Sequence, residues 1–345
     1  MAVTLKEIAK EAGVSPSTAS HAIRGIHPGK RALSAKTVQR VRDVAEKLGY
    51  RPNLLAAGLA SNKTFTIGVL VATLRGNFYE RILEGITEVM HPNFTPLLAI
   101  HNYRPDRERK EIEVFIGKHV DGIIAAYSGE PENLAIYREL QDIHKMPLVL
   151  VDRGIPNLPS HVVRSDHYQS TYLAIRELGK LGHKNIIFAL AGRETESTKT
   201  LMDGFNGAIS EMGIKTTADI FYKKTQSWSI TEMKSFAENI IDYIGSRKPQ
   251  TTALLLQADW LAYEVLAVCQ DRGIRVPEDL SVMGIEDCDP SSLPCISLST
   301  VRVELNEVGR RAADLLIKKI NGEKTDAGPL VIKPSVILRK TTRQL

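Results

Sequence analysis

The sequence predicts a small all-α domain followed by an α/β core of two doubly wound lobes. Three observations lead there: a helix, glycine and helix pattern over residues 4–24, a basic charge confined to the first sixty residues, and alternating strand and helix patterns from Phe65 onward. Over the first, Leu5, Ile8, Ala9 and Ala12 recur at helical spacing. Gly13 can take the left-handed conformation that ends one helix and swings the chain into the next. Ser15 supplies an N-cap oxygen, and Pro16 a pre-set first helical position. Small residues at Ala9 and Ala19 let two short helices cross closely, as a helix-turn-helix requires before its second helix enters a major groove.

Residues 1–62 hold ten Lys and Arg residues against four acids, a charge of +6, while the other 283 residues carry −1. A polyanion partner is therefore expected for this segment alone, because neutralised phosphates release counterions. The chain, with 43% hydrophobic and 25% charged residues, has the composition of a folded globular protein. No apolar run approaches the roughly 18 residues of a membrane span, and the first twenty residues lack a signal-peptide pattern, so a cytoplasmic protein is expected. Cys269, Cys288 and Cys295 lack metal-ligand spacing and read as buried free thiols; neither a metal nor a cofactor is expected.

After the basic segment, Pro52 breaks a helix and Asn53 can cap a very short one. Two turns of helix are marginal alone, so this hinge is expected to fold only against DNA or a partner copy. Strands are expected at 66–71, 96–100, 122–126, 148–151, 185–190, 252–256 and 280–284. Helices are expected near 78–90, 106–119, 133–142, 168–181, 199–212, 231–244, 259–272 and 304–320. This alternation implies parallel sheets covered by helices, with ligands between the lobes beyond the carboxyl ends of strands.

Several stretches carry a resemblance. They are the helix-turn-helix, Leu48-Gly49-Tyr50-Arg51-Pro52-Asn53, Thr66-Ile67-Gly68-Val69-Leu70, Val120-Asp121-Gly122-Ile123-Ile124, Val149-Leu150-Val151-Asp152-Arg153, Leu181-Gly182-His183-Lys184-Asn185-Ile186, and the run from Arg275 to Gly284. With these, and with Leu298-Ser299-Thr300-Val301 and Val336-Ile337-Leu338-Arg339, the chain resembles the LacI/GalR family of bacterial transcription regulators over nearly its full length. The resemblance implies a homodimer that binds double-stranded operator DNA, with a core like periplasmic sugar-binding proteins and a small-molecule effector in its cleft. The implied divisions are a DNA-binding domain (1–52), a hinge (53–63) and a core (64–345). Within the core, the N-lobe spans about 64–163 and 293–322, and the C-lobe about 164–292 and 323–345.

The resemblance places Pro16, Ser17 and His21 toward base edges and Leu59 as a wedge in the minor groove. It adds Thr4, Ser15, Ser20, Arg24, Tyr50, Asn53 and Ala56 to the DNA-facing set. The loop from Gly25 to Leu33 is longer than is common in the family and brings Lys30 and Arg31, expected on the phosphate backbone. Gly58 in the hinge lowers helix propensity by about 1 kcal/mol relative to alanine.

For the cleft the resemblance implies Phe78, Tyr79, Asp152, Arg153, Ser197, Trp228, Asp259 and Glu286. Leu201 stands where sugar- and purine-responsive relatives commonly carry an arginine, Ala258-Asp259 replaces an Asn-Asp pair, and Glu286 replaces an aspartate. Unmatched acids disfavour an anionic effector and favour a neutral or amino sugar, with Lys199 as the one nearby replacement for the arginine. The expected function is a transcriptional regulator, a repressor, controlled by that ligand. Control by a protein co-effector through Arg310 and Arg311, and activation instead of repression, are the alternatives. An enzyme is not expected: Gly192 to Thr200 only superficially suggests a phosphate loop, since Ser197 stands where a glycine is needed and Lys199 falls one position late.

Overall fold

The computed structural model describes residues 3–24, 33–50, 63–213, 218–224, 229–326 and 328–345. The chain divides into two compact units, Met1–Thr64 and Phe65–Leu345.

In the first unit, α1 (Leu5–Glu11) opens with a capping box: Thr4 Oγ1 accepts from the Glu7 amide, and the Glu7 carboxylate accepts from the Thr4 amide at 2.7 Å. Gly13, at φ +59°, turns the chain. Ser15 then caps α2 (Pro16–Arg24), its Oγ accepting from the Thr18 amide at 3.1 Å. Ser34 caps α3 (Ala35–Lys47) in the same way. Ile8, Ala9, Ala12, Ala19, Ala22, Val41 and Ala45 form the core of this unit, so the small residues of α1 and α2 are what allows their close crossing.

The second unit begins with β1 (Thr66–Val71), α4 (Phe78–Met90), β2 (Thr95–Ile100), α5 (Pro105–Gly117), β3 (Gly122–Ala126), α6 (Leu134–Asp142), β4 (Leu148–Val151) and β5 (His161–Ser165). It continues through α7 (His167–Lys180), β6 (Ile186–Gly192), α8 (Glu196–Glu211), β7 (Asp219–Lys224), α9 (Ile230–Gly245), β8 (Ala253–Leu256), α10 (Asp259–Asp271) and β9 (Ser281–Glu286). It closes with β10 (Ser299–Arg302), α11 (Leu305–Ile320), β11 (Pro329–Ile332) and β12 (Ser335–Ile337).

The N-lobe sheet has the order β11-β5-β4-β3-β1-β2 and the C-lobe sheet the order β12-β10-β9-β8-β6-β7. Neighbouring strands run parallel except β10 with β12. Strands β3, β4 and β8 are buried along their whole length, which is why they read as unbroken apolar runs. Helices α4 and α11 cross with backbones nearly touching. A Cβ on Gly85 would lie 2.0 Å from the Asn306 carbonyl oxygen, and one on Gly309 2.0 Å from that of Ile82.

Two expectations about the lobes are corrected. Strand β10 belongs to the C-lobe sheet, although 293–322 was expected in the N-lobe, and β11 belongs to the N-lobe sheet although 323–345 was expected in the C-lobe. The chain therefore passes between lobes at 165–167, 302–305 and 332–335, each a link of one or two residues that strand-and-helix patterns cannot reveal. Cys269 and Cys288 are buried as expected, but Cys295 is exposed. No described helix is long and apolar enough to cross a membrane.

Candidate effector cleft and DNA-reading helix

Strand ends position the cleft. In each lobe the parallel strands run their carboxyl ends to one edge, where short turns present side chains to a cavity of 260 Å³. The N-lobe contributes Phe78, Tyr79, Tyr103, Asp152 and Arg153; the C-lobe contributes Arg193, Ser197, Gln257, Trp260 and Glu286; His167 lies just past a lobe crossing.

Asp152 directly follows β4, in the left-handed region at φ +72°. Its Oδ2 accepts from the Tyr79 hydroxyl at 3.0 Å and from Arg153 Nε and Nη2 at 3.1 and 2.8 Å. His167 Nε2 lies 3.3 Å from Oδ1. Burial alone would raise this carboxyl, but the Arg153 guanidinium, followed by His167, holds it well below the usual carboxylate range. Asp152 is thus a fixed anion. Burial, reinforced by Asp152, pushes the Tyr79 phenol far up, and burial pushes Tyr103 up to about 12, so both hydroxyls stay protonated.

Tyr103 is set by His101. Nε2 of this fully buried imidazole faces the Ala126 carbonyl at 3.0 Å, and Nδ1 accepts from the Tyr103 amide at 3.1 Å. Across the cavity the Arg193 guanidinium sits over the Tyr103 ring, 6.0 Å from its centroid, and pairs with Glu130 of the N-lobe. Arg164 of β5 and Glu196 of α8 form a second ion pair between lobes at 3.2 Å.

The cleft departs from expectation in two ways. Asp259 is fully buried and does not line the cavity: its carboxylate accepts from the Cys288 amide (2.9 Å), Ser291 Oγ (2.5 Å) and Thr300 Oγ1 (2.6 Å), which makes it a brace inside the C-lobe. Lys199 is also outside the lining, exposed and 3.7 Å from Glu194, so it does not replace the arginine absent at Leu201, which does line the cavity. Arg153, expected in the cleft, lines it together with Arg75 and Arg193. Trp228 lies outside the described residues. Sequence reasoning missed Tyr103, His167, Arg193, Gln257 and Trp260. Arg193 and Gln257 each directly follow a strand, the one signal that would have found them.

In the first unit, Ala19 and Ala22 turn inward, and Ser17 and His21 follow one another at i and i+4 on another face of α2, while the Arg24 side chain lies outside what is described. Ser15, Pro16 and Ser17 are exposed, Ser20 and His21 half-buried. Thr4 is exposed and engaged in its cap, and Tyr50 packs against the core of the unit. Lys30, Arg31, Asn53, Ala56 and Leu59 lie outside the described residues. Arg310 and Arg311 are tied to Glu88 and Glu307 at 2.7 to 3.0 Å, as a self-paired helix face would be.

Comparison with known proteins agrees with this architecture. Residues 4–53 match the family described as bacterial regulatory proteins, lacI family, and residues 175–342 match the periplasmic binding protein-like domain. The chain is 28% identical over 350 residues to the HTH-type transcriptional repressor PurR of Pasteurella multocida, covering 99% of this chain and 98% of that protein. It is 28% identical over 346 residues to the HTH-type transcriptional regulator DegA of Bacillus subtilis, covering 100% and 99%. Among solved structures, the lac repressor dimer bound to operator and the anti-inducer ONPF superposes with a TM-score of 0.81 at 24% identity, covering 99% of this chain and 100% of that one. The complex of the transcriptional regulator CelR with cellobiose superposes at 0.68 and 24% identity, covering 98% and 99%. With its helix-turn-helix and its two parallel-sheet lobes around a cleft, the chain belongs to the LacI family of DNA-binding transcriptional regulators, a non-enzymatic family with a periplasmic binding protein-like effector domain.

Proposed function

We propose that this regulator is a cytoplasmic, homodimeric repressor whose operator affinity is set by a carbohydrate held between the lobes of its core. The observation that carries the reading is the Asp152 array. A buried, ionised carboxylate beside the Arg153 guanidinium offers an acceptor and donors to one hydroxylated ligand, and the rings of Phe78, Tyr103 and Trp260 offer apolar faces suited to a sugar. Arg153 and Arg193 are already matched by Asp152 and Glu130, which disfavours a phosphorylated ligand. A cellobiose-bound and a ribose-bound relative of the same fold support the ligand class.

Because the ligand would contact both lobes, it can favour one interlobe arrangement, and a ligand shifts such an equilibrium only by its differential affinity. The test is calorimetric titration of the full-length protein with neutral sugars, amino sugars and sugar phosphates. Binding confined to neutral or amino sugars is expected. Tight binding of sugar phosphates alone would contradict the reading.

A further inference from the structure

Two carboxyl groups face the same cavity from opposite lobes, and only one is matched by a cation. Asp152 has Arg153 at 2.8 Å. Glu286, the last residue of β9, is just as buried at 7% exposure and lines the same cavity, with its backbone held at φ +127°. Among the described residues no Lys, Arg or His nitrogen lies within 4.0 Å of its carboxyl oxygens. Its side-chain partner is the Cys288 thiol, which donates weakly to Oε2 at 3.4 Å. Arg81, the cation that acts on it most, is committed to Asn306 Oδ1 at 3.1 Å and to the Asp287 carbonyl at 3.0 Å.

We infer that Glu286 is an anchor for an ammonium group on the cavity ligand, which makes the preferred effector an amino sugar or a similar amine-bearing polyol. This rests on the carbohydrate reading above. Without a ligand, an isolated buried carboxylate is costly, and the group responds by staying protonated. Burial, reinforced by Asp259, raises its pKa well above the usual range. The titratable and charged groups that act on it are Asp259, Cys288, Arg81 and Asp152, with Tyr103 and Tyr263 in its own field, and Arg75, Arg153, His167 and Arg193 line the same cavity. Arg81, Arg153 and Arg193 are engaged by other partners and no ion pair joins Glu286 to a described cation, so its carboxyl is left for a positive ligand group. When the ammonium enters, the Glu286 O–H proton leaves to solvent, the ammonium keeps its three N–H donors, and an N–H of the ligand donates to the carboxylate. The sugar hydroxyls remain for Asp152 and Arg153.

The test titrates the full-length protein with glucosamine, galactosamine and mannosamine, each beside its parent hexose and its N-acetyl derivative, in two buffers of different ionisation enthalpy near neutral pH. At least one hexosamine should bind about thirtyfold or more tighter than its hexose and its N-acetyl form, as a buried charge pair requires. Proton release on binding should accompany it. In Glu286→Gln the ratio of amine to hexose affinity should collapse, and the proton release on wild-type protein stands as evidence even where that variant folds poorly. A hexosamine bound no tighter than its hexose, bound without proton release, or still preferred by Glu286→Gln overturns the inference while leaving the carbohydrate reading intact. Failure of every sugar to bind overturns both.

Discussion

The Tyr79 hydroxyl donates to Asp152 Oδ2 at 3.0 Å, joining the first turn of α4 to the end of β4 at the floor of the cleft. Folding holds the Asp152 carboxyl below its unfolded value, which is about 3.9. As pH falls, the unfolded chain therefore takes up this proton before the folded one does. The stabilisation is fully present above the unfolded pKa and is lost as pH falls through the folded one. Tyr79→Phe removes one donor to the anion and should cost about 1.5–3 kcal/mol near neutral pH. That cost should shrink on acidification, as followed by thermal unfolding across the acid range.

Glu286 should show the opposite sign. Its folded pKa is raised, so the folded state gives up the proton less readily than the unfolded chain, and the stability deficit grows as pH rises above the unfolded value of about 4.3. Glu286→Gln, which mimics the neutral acid, should therefore raise the melting temperature near neutral pH and leave it unchanged at about pH 3, well below both values. A gain that does not change with pH would show that packing, not ionisation, is responsible.

Asp259 is expected to behave as a structural brace. Asp259→Ala strands the donors of Cys288, Ser291 and Thr300, each at about 1–3 kcal/mol. Severe loss of thermal stability is predicted, with the defect in folding and not in selective sugar recognition. A stable protein that has lost only its ligand response would return Asp259 to the cleft.

How much of this was legible in the sequence follows from what each element contacts. Strands β3, β4 and β8 announce themselves because both faces are buried. Strands β5, β7, β10, β11 and β12 were missed: they are short, sit at or near sheet edges, or carry polar residues such as His161, Arg164 and Asp219 that interrupt the pattern. In the cleft, Tyr79, Asp152 and Glu286 sit where a strand or helix end makes them visible. Asp259 was misread because the hydroxyls that occupy its carboxylate come from residues 32 and 41 positions away. Arg153 was named, but its pairing with its own neighbour Asp152 appears only in three dimensions.

For the helix-turn-helix, His21→Ala should lower affinity for a selected operator by about 1–3 kcal/mol while leaving random-sequence DNA binding nearly unchanged. The position of His21 beside Ser17 on the outward part of α2 motivates this. Both affinities are to be measured at one salt concentration; equal losses on the two DNAs would assign His21 to the phosphate backbone.

In the proposed function, ligand in the cleft and operator on the helix-turn-helix share one equilibrium. The most direct measurement is the operator affinity of the full-length protein, by fluorescence anisotropy, on a duplex it selects from a random library, with and without a saturating sugar that calorimetry shows to bind. A shift of about 5- to 150-fold is expected, with a reciprocal change of the same factor in sugar affinity when operator is bound. Sugar bound in the cleft with operator affinity unmoved would contradict it.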